Sequence, residues 1–116
     1  MDMVYKLARL PEWQEAERTG NFRGSPDDLR DGFLHFSAAH QLRATAEKHF
    51  AGQARLVLLT VEAAPLGAAL QWELSRGGDR FPHLYGPLRR DQVLRAQVLS
   101  RGADGRVIFP PEIPDG

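Results

Sequence analysis

The sequence predicts a single α+β domain, and three observations carry that prediction. Apolar residues recur at helical spacing over residues 38–50, in the first half of the chain. Most strand-like segments come later, which favours an α+β fold over a regularly alternating α/β fold. The 116 residues contain no internal repeat or low-complexity segment and match the common size of one domain. We therefore expect one domain over residues 1–116, with about two helices and five or six short strands.

The first half of the chain contains the two predicted helices. Residues 4–8 have the β-branched and aromatic content of a strand. Pro11 then suits the first turn of a helix, and Gly20 is a plausible end for it. Residues 20–32 are rich in turn formers, so we expect an irregular connection there. The second helix follows at residues 38–50.

The second half is predicted to consist mainly of strands. Residues 56–61, LVLLTV, are continuously apolar, which indicates a strand covered on both faces. Residues 70–75 alternate between apolar and polar, as in a half-buried strand. Residues 81–87 contain two prolines and are expected to be extended or looped. Strands are also expected at 93–99 and 107–109, whereas the final segment, residues 110–116, is expected to be a loose tail.

Composition excludes several classes of protein. Fifteen basic side chains balance fifteen acidic ones, and no run of five like charges occurs, so nothing favours a nucleic-acid partner. The chain has no cysteine, which removes disulfides, thiolate nucleophiles and zinc–thiolate sites.

The location predicted from sequence is the cytoplasm. The N-terminus lacks the charged segment and long apolar run of a secretory signal. The longest apolar run, residues 56–61, is far shorter than the roughly 20 residues that span a bilayer. We expect no membrane partner, and the sequence leaves a monomer and a dimer equally open.

Polar side chains that could perform chemistry occur in three strand-like segments. Alternation along a strand puts His35 and Ser37 on one face of DGFLHFS, residues 31–37. The same rule puts Glu73 on the polar face of its strand and aligns His83 with Tyr85. If these faces converge, they form a pocket that contains two imidazoles, a hydroxyl, a carboxylate and a phenol.

Each of these residues also has a structural interpretation. Ser37 precedes a helical pattern and is a natural N-cap. His35 taken alone is more typical of a hydrogen-bonded histidine in a core. Glu73 taken alone is typical of a solvated strand position, and His83 and Tyr85 taken alone are typical of residues that border a turn.

Other catalytic templates have no support. The G-x-S-x-G elbow, the G-x-G-x-x-G fingerprint and the G-x-x-x-x-G-K-[ST] loop are absent from the sequence. Four histidines are present, but neither H-E-x-x-H nor a comparable spacing joins them, so we predict no metal site.

Taken in order, the blocks DGFLHFS, TAEKHF, LVLLTVE, LQWE and FPHLYGPL resemble the small bacterial family catalogued as domain of unknown function 952. The resemblance runs from the first strand to about Leu99. That family is similar to the ADP-ribosyltransferase superfamily, which includes poly-ADP-ribose polymerases, several toxins and RNA 2′-phosphotransferases. The resemblance implies an ADP-ribosyltransferase-like fold, in which two small, mostly antiparallel sheets surround a cleft that holds NAD.

The resemblance also implies roles for particular residues. The superfamily's first motif is a histidine, any residue, then serine or threonine, which His35 and Ser37 match. His35 would then bond the ribose next to nicotinamide, with Ser37 supporting the site. Tyr85, with Trp72 as second candidate, would stack on the nicotinamide. Glu73 would stabilise the positive charge that builds on the ribose as the bond to nicotinamide breaks.

The chain departs from the superfamily pattern at one point. Glu73 precedes Tyr85, whereas in many members the tyrosine comes before the catalytic glutamate. The phosphotransferase branch uses basic residues to bind phosphate, and His83 and Arg80 are the candidates for that role. We therefore expect a domain that binds NAD or a related nucleotide metabolite, with cleavage of the nicotinamide–ribose bond as its enzymatic interpretation. The alternative is a non-catalytic small-ligand sensor or protein-interaction module on the same fold.

Overall fold

The structure, a computed structural model, describes residues 2–53 and 55–114. The α-helices are α1 (Leu10–Thr19), α2 (Pro26–Asp31) and α3 (Leu42–His49). The strands are β1 (Met3–Arg9), β2 (Asn21–Phe22), β3 (Leu34–His35), β4 (Leu56–Glu62), β5 (Leu70–Leu74), β6 (Arg80–Leu84), β7 (Leu88–Arg89), β8 (Val93–Val98), β9 (Ser100–Arg101) and β10 (Val107–Ile108). Short 3-10 helices cover Ala39–Gln41, Ala64–Ala69, Arg76–Gly78 and Arg90–Gln92.

The largest antiparallel sheet has the order β1-β4-β8. Its central strand β4 is buried from Leu56 to Val61, which confirms a strand covered on both faces. One core on this sheet contains Val57, Leu59 and Val61, and the core on its other face contains Leu58. Because side chains alternate along β4, a continuous apolar run is what two cores require.

The second antiparallel sheet has the order β3-β6-β5 and carries the candidate site. An isolated bridge joins it to β1, where the Tyr5 N–H donates to the Ser37 carbonyl at 2.9 Å and the Ser37 N–H donates to the Tyr5 carbonyl at 2.7 Å. Two-stranded pairs, β2-β7 and β9-β10, complete the sheets of the described residues. The prediction of an α+β fold with small antiparallel sheets is therefore confirmed.

The helix content differs from the prediction. Residues 20–32 are not simply irregular, because they contain α2. Ser25 caps this helix: its hydroxyl accepts from the Asp28 N–H at 3.2 Å, and the Asp28 carboxylate accepts from the Ser25 N–H at 2.8 Å. Pro26 stands in the first turn, where its missing N–H costs nothing. The described residues thus hold three α-helices rather than about two.

Ser37 does not cap the helix that follows it, so that structural interpretation is wrong. Ala38 occupies the N-cap position of the 3-10 helix that leads into α3. The side-chain carbonyl of Gln41 accepts a hydrogen bond from the Ala38 N–H at 2.8 Å. The N-terminus of this 3-10 helix is therefore capped by the side chain of Gln41, three residues after Ala38. Ser37 lies one position too early and is held by the backbone bridge to Tyr5.

The predicted loose tail is wrong for residues 110–114. Ile113 is 3% exposed and joins the core that contains Leu58 and Phe109. The Arg43 guanidinium donates to the Pro114 carbonyl at 3.0 Å. Residues 115 and 116 lie outside the described residues. Across the described chain, no helix has the length and apolar character needed to cross a membrane.

Candidate functional site

Strand pairing brings the polar side chains of three segments together. His35 on β3 is opposite His83 on β6, and Glu73 on β5 is opposite Phe81 on β6. Residues directly opposite in an antiparallel pair share a face, as do residues two apart on one strand. His35, Glu73 and His83 therefore share one face of the sheet, and the Tyr85 hydroxyl joins them by a hydrogen bond to Glu73.

His35 is held by two carboxylates from α2. Its Nδ1 lies 2.6 Å from Asp28 Oδ1, and its Nε2 lies 2.9 Å from Asp31 Oδ2. The His35 backbone N–H also donates to Asp28 Oδ1, at 3.0 Å. Both ring contacts are hydrogen bonds at once only when both nitrogens carry a proton. The arrangement therefore fixes the ring and leaves neither nitrogen free.

Lys6 and Asp28 form a buried ion pair behind His35. Lys6 Nζ lies 2.9 Å from Asp28 Oδ2, and the two side chains are 4% and 1% exposed. Lys6 also donates to the His35 carbonyl at 2.8 Å. Sequence reasoning missed both residues. The available signals were a lysine inside an apolar strand and the S-P-D-D capping pattern before α2.

This network controls the charge of Asp28. Burial alone would raise the pKa of the Asp28 carboxyl, but the hydrogen bond from His35 and the charge of Lys6 outweigh it and hold that pKa well below its usual range. Burial lowers the pKa of Lys6, and the adjacent carboxylate of Asp28 opposes this only in part. Asp28 is thus a permanent anion at neutral pH, and it orients His35.

A second histidine–carboxylate pair lies on the same face. His83 Nδ1 lies 2.8 Å from Glu73 Oε1, and the Tyr85 hydroxyl donates to the same oxygen at 2.6 Å. The hydrogen bonds from Tyr85 and then His83 lower the pKa of Glu73, and the bond to Glu73 raises the pKa of Tyr85. Phe33 stacks on the His83 ring with the ring centroids 4.1 Å apart and contacts the Tyr85 ring at 5.1 Å.

A cavity of about 220 Å³ opens beside these residues, and we call it the histidine cleft. The residues of its lining that matter here are Asp28, Asp31, His35, Ser37, His49 and His83. Glu73 and Tyr85 do not line it, but Glu73 reaches it through its hydrogen bond to His83. The cleft therefore joins both histidine–carboxylate pairs.

The remaining predicted site residues differ in placement. Ser37 is 4% exposed, and its hydroxyl lies 3.3 Å from the Thr45 hydroxyl across the cleft lining. Trp72 is opposite Pro82, and Arg80 is opposite Leu74. Alternation thus puts Trp72 and Arg80 on the face of the sheet that points away from His83 and Glu73. These two residues do not join the cluster.

A metal centre has no ligand set in the part of the chain that the structure describes. No group of three or more histidine, aspartate or glutamate side chains has the geometry to hold an ion. The carboxylates instead bind the two histidines and Lys6. The two histidine–carboxylate pairs offer hydrogen bonding and acid–base chemistry.

Residues 7–96 match the sequence profile of the family described as "Protein of unknown function (DUF952)". The chain belongs to this family. It is similar to protein CC0527 from Caulobacter crescentus, whose crystal structure has 53% sequence identity and a TM-score of 0.87, with 91% of this chain and 93% of that chain covered. The solution NMR structure of CC0527 has 54% identity and a TM-score of 0.82, with 91% of each chain covered. No curated protein matches the chain.

Proposed function

We propose that this protein binds NAD or a related nucleotide metabolite and receives the nicotinamide–ribose end of the ligand in the histidine cleft. The observation that supports this most is the shared face of His35, Glu73 and His83 beside a cleft that Ser37 also lines. The cleft then holds the ring or the sugar, and Phe33 and Tyr85 offer aromatic surface next to it.

The size of the cleft favours one end of a dinucleotide. Drug-sized ligands occupy pockets of about 300–1,000 Å³, and the histidine cleft, at about 220 Å³, suits a single ring or sugar. Asp27, Asp28 and Asp31 line it together with Lys6 and Arg30, and these two cations pair with the three carboxylates, so the charges of the lining nearly balance. The proposal therefore rests on size, and it assigns the nicotinamide–ribose end of NAD to the cleft and the pyrophosphate to the space outside it.

In the enzymatic form of this proposal, the bond between the ribose and the nicotinamide nitrogen breaks. The electron pair leaves with nicotinamide, positive charge develops on the ribose, and a water molecule or an acceptor hydroxyl then bonds to that ribose carbon and loses its proton. Glu73 is the candidate to stabilise that charge from behind His83, which lines the cleft and binds it, because its hydrogen bonds from Tyr85 and His83 keep it ionised at neutral pH.

A specific observation also favours the non-catalytic alternative, a small-ligand sensor. Both ring nitrogens of His35 already face carboxylates, so a hydrogen bond from His35 to a ribose requires the contact with Asp28 or Asp31 to break. Of these, the contact with Asp31 is the more exposed. A site arranged in this way suits binding without turnover.

Calorimetric titration with NAD and with ADP-ribose, together with chromatographic assay of nicotinamide release, tests the proposal. Saturable binding is expected for the wild-type protein. If release accompanies it, Glu73→Gln should slow release by about 100-fold. Binding without release identifies the sensor.

Arg80→Ala is the matched control, because Arg80 is exposed and lies on the opposite face of the sheet. We expect this variant to bind like the wild-type protein. If neither NAD nor ADP-ribose binds at millimolar concentration, the nucleotide proposal is wrong.

A further inference from the structure

His35 and His83, two of the three histidines that line the cleft, differ in which ring nitrogens have a hydrogen-bond partner. Both ring nitrogens of His35 are within hydrogen-bond distance of carboxylates. His83 uses Nδ1 to bind Glu73, and its Nε2 has no hydrogen-bond partner among the described residues. Nε2 is not fully buried, and the residue to which it belongs lines the cleft.

The partner of Nδ1 determines which proton the His83 ring carries. An ionised carboxylate only accepts hydrogen bonds, so Nδ1 must donate to Glu73. The low pKa of Glu73, caused by its hydrogen bonds from Tyr85 and His83, keeps it ionised. In the neutral ring, the proton is then on Nδ1, and Nε2 presents a lone pair to the cleft.

The His83 ring is also held in place. It is 6% exposed, it stacks on Phe33 at 4.1 Å, and it is paired across the sheet with His35 on one side and Gln71 on the other. A fixed acceptor recognises a ligand donor at little cost in conformational entropy.

The surroundings of Nε2 select the kind of donor. A phosphate oxygen without a proton has nothing to donate to this acceptor. A sugar hydroxyl donates one hydrogen bond and can accept others from the same site. We infer that His83 Nε2 accepts a hydrogen bond from a ligand hydroxyl, so that the histidine cleft takes a sugar or another hydroxyl-bearing group. This deepens the proposed function, on which it rests for the choice of NAD as a probe.

The test follows the His83 imidazole directly. In protein labelled with ¹⁵N-histidine, long-range ¹H–¹⁵N correlation spectra distinguish protonated from bare ring nitrogens, and the missing signals of His83→Gln assign its resonances. We expect a bare Nε2 whose resonance shifts on titration with NAD or with D-ribose. Calorimetry on the same samples measures binding independently of that resonance.

The four outcomes separate the inference from the proposed function. If NAD binds and Nε2 shifts, both are supported. If NAD binds and Nε2 does not shift, the inference is overturned while the proposed function remains. If neither NAD nor ADP-ribose binds but D-ribose shifts Nε2, the inference stands and the nucleotide proposal falls. If none of these probes binds, both fall.

Two conservative variants separate recognition from structural support. His83→Asn keeps an amide near the position of Nδ1, beside Glu73, whereas His83→Gln puts its amide near the position of Nε2, toward the cleft. Recognition predicts that Asn weakens binding by about tenfold or more and that Gln retains most of it. A purely structural role predicts the reverse order. Thermal unfolding of both variants checks that each is folded.

Discussion

The carboxylate of Asp28 makes several of the polar contacts that hold the site together. Its two oxygens lie within hydrogen-bond distance of the His35 ring, the His35 and Ser25 backbone N–H groups and Lys6. Its side chain is 1% exposed, so water cannot replace a lost partner. Removing its charge leaves Lys6 buried without compensation.

We therefore expect Asp28→Asn to lower the free energy of unfolding by about 3 kcal/mol. Asp27→Asn is the control, because the Asp27 side chain is 62% exposed and its ion pair with Arg30 lies in solvent. Urea denaturation of both variants at neutral pH makes the comparison. Equal losses in the two variants would contradict a structural role for the buried pair.

The dependence of stability on pH provides a second measurement on the same variant. The pKa of Asp28 in the folded protein lies below its ordinary value of 3.8, so the unfolded chain binds its proton first as the pH falls. The stabilisation is therefore complete above the unfolded value and is lost as the pH falls through it toward the folded value. Asp28→Asn should reduce the slope of unfolding free energy against pH below about pH 5, whereas Asp27→Asn should retain most of it.

At the scale of elements, α2 determines whether the site forms. It has only six residues, and it supplies Asp28 and Asp31 to His35. An isolated helix of this length is not stable in water. Its position depends on the Ser25 cap, on the tertiary contacts of Asp28, and on the close approach of the preceding chain at Gly24.

Gly24→Ala tests that close approach. Gly24 has φ of +104°, and a Cβ there would lie 2.8 Å from Leu34 Cδ2 and 2.9 Å from the Asp28 Cβ. Gly105→Ala is the matched control, because Gly105 also has positive φ, at +83°, but has nothing within 4 Å of the added carbon. We expect Gly24→Ala to be less stable than Gly105→Ala by about 1–3 kcal/mol. Equal Tm values for the two variants would show that the structure around Gly24 accommodates the added carbon without loss of stability.

At the scale of the whole molecule, two cores on opposite faces of the β1-β4-β8 sheet stabilise the fold. The first lies between this sheet and the buried face of β3-β6-β5, so it supports the sheet that carries His83. The second is closed by α3 and by the C-terminal residues Phe109 and Ile113.

We expect Ile113→Ala to cost about 2–4 kcal/mol of unfolding free energy, because it removes buried methyl groups from the second core. Ile108→Ala removes the same atoms from a side chain that is 55% exposed and should cost much less. Chemical denaturation of the two variants measures the difference. A negligible loss for Ile113→Ala would mean that the C-terminal residues contribute little to the second core.

The features that depend on local pattern could be predicted from the sequence. Alternation along a strand predicted that His35 shares a face with Ser37 and that His83 shares a face with Tyr85. The unbroken apolar run at 56–61 indicated that strand β4 is covered on both faces. The strand at β1 and the helix α1, with Pro11 in its first turn and Gly20 at its end, follow the same kind of local rule. These signals reside in neighbouring residues, so no tertiary information was needed.

Long-range pairing decided the rest. The register of β5 against β6 brought Glu73 to His83, and alternation along the strands then put Trp72 and Arg80 on the opposite face. No local pattern specifies which residue of a strand faces which residue of its partner. The burial of Lys6 beside Asp28, which are 22 residues apart in the sequence, likewise exists only once β1 and α2 pack together. The sequence by itself determined which side chains share a strand face, and the tertiary structure decided which faces meet, because strand register and ion-pair burial depend on contacts between distant segments.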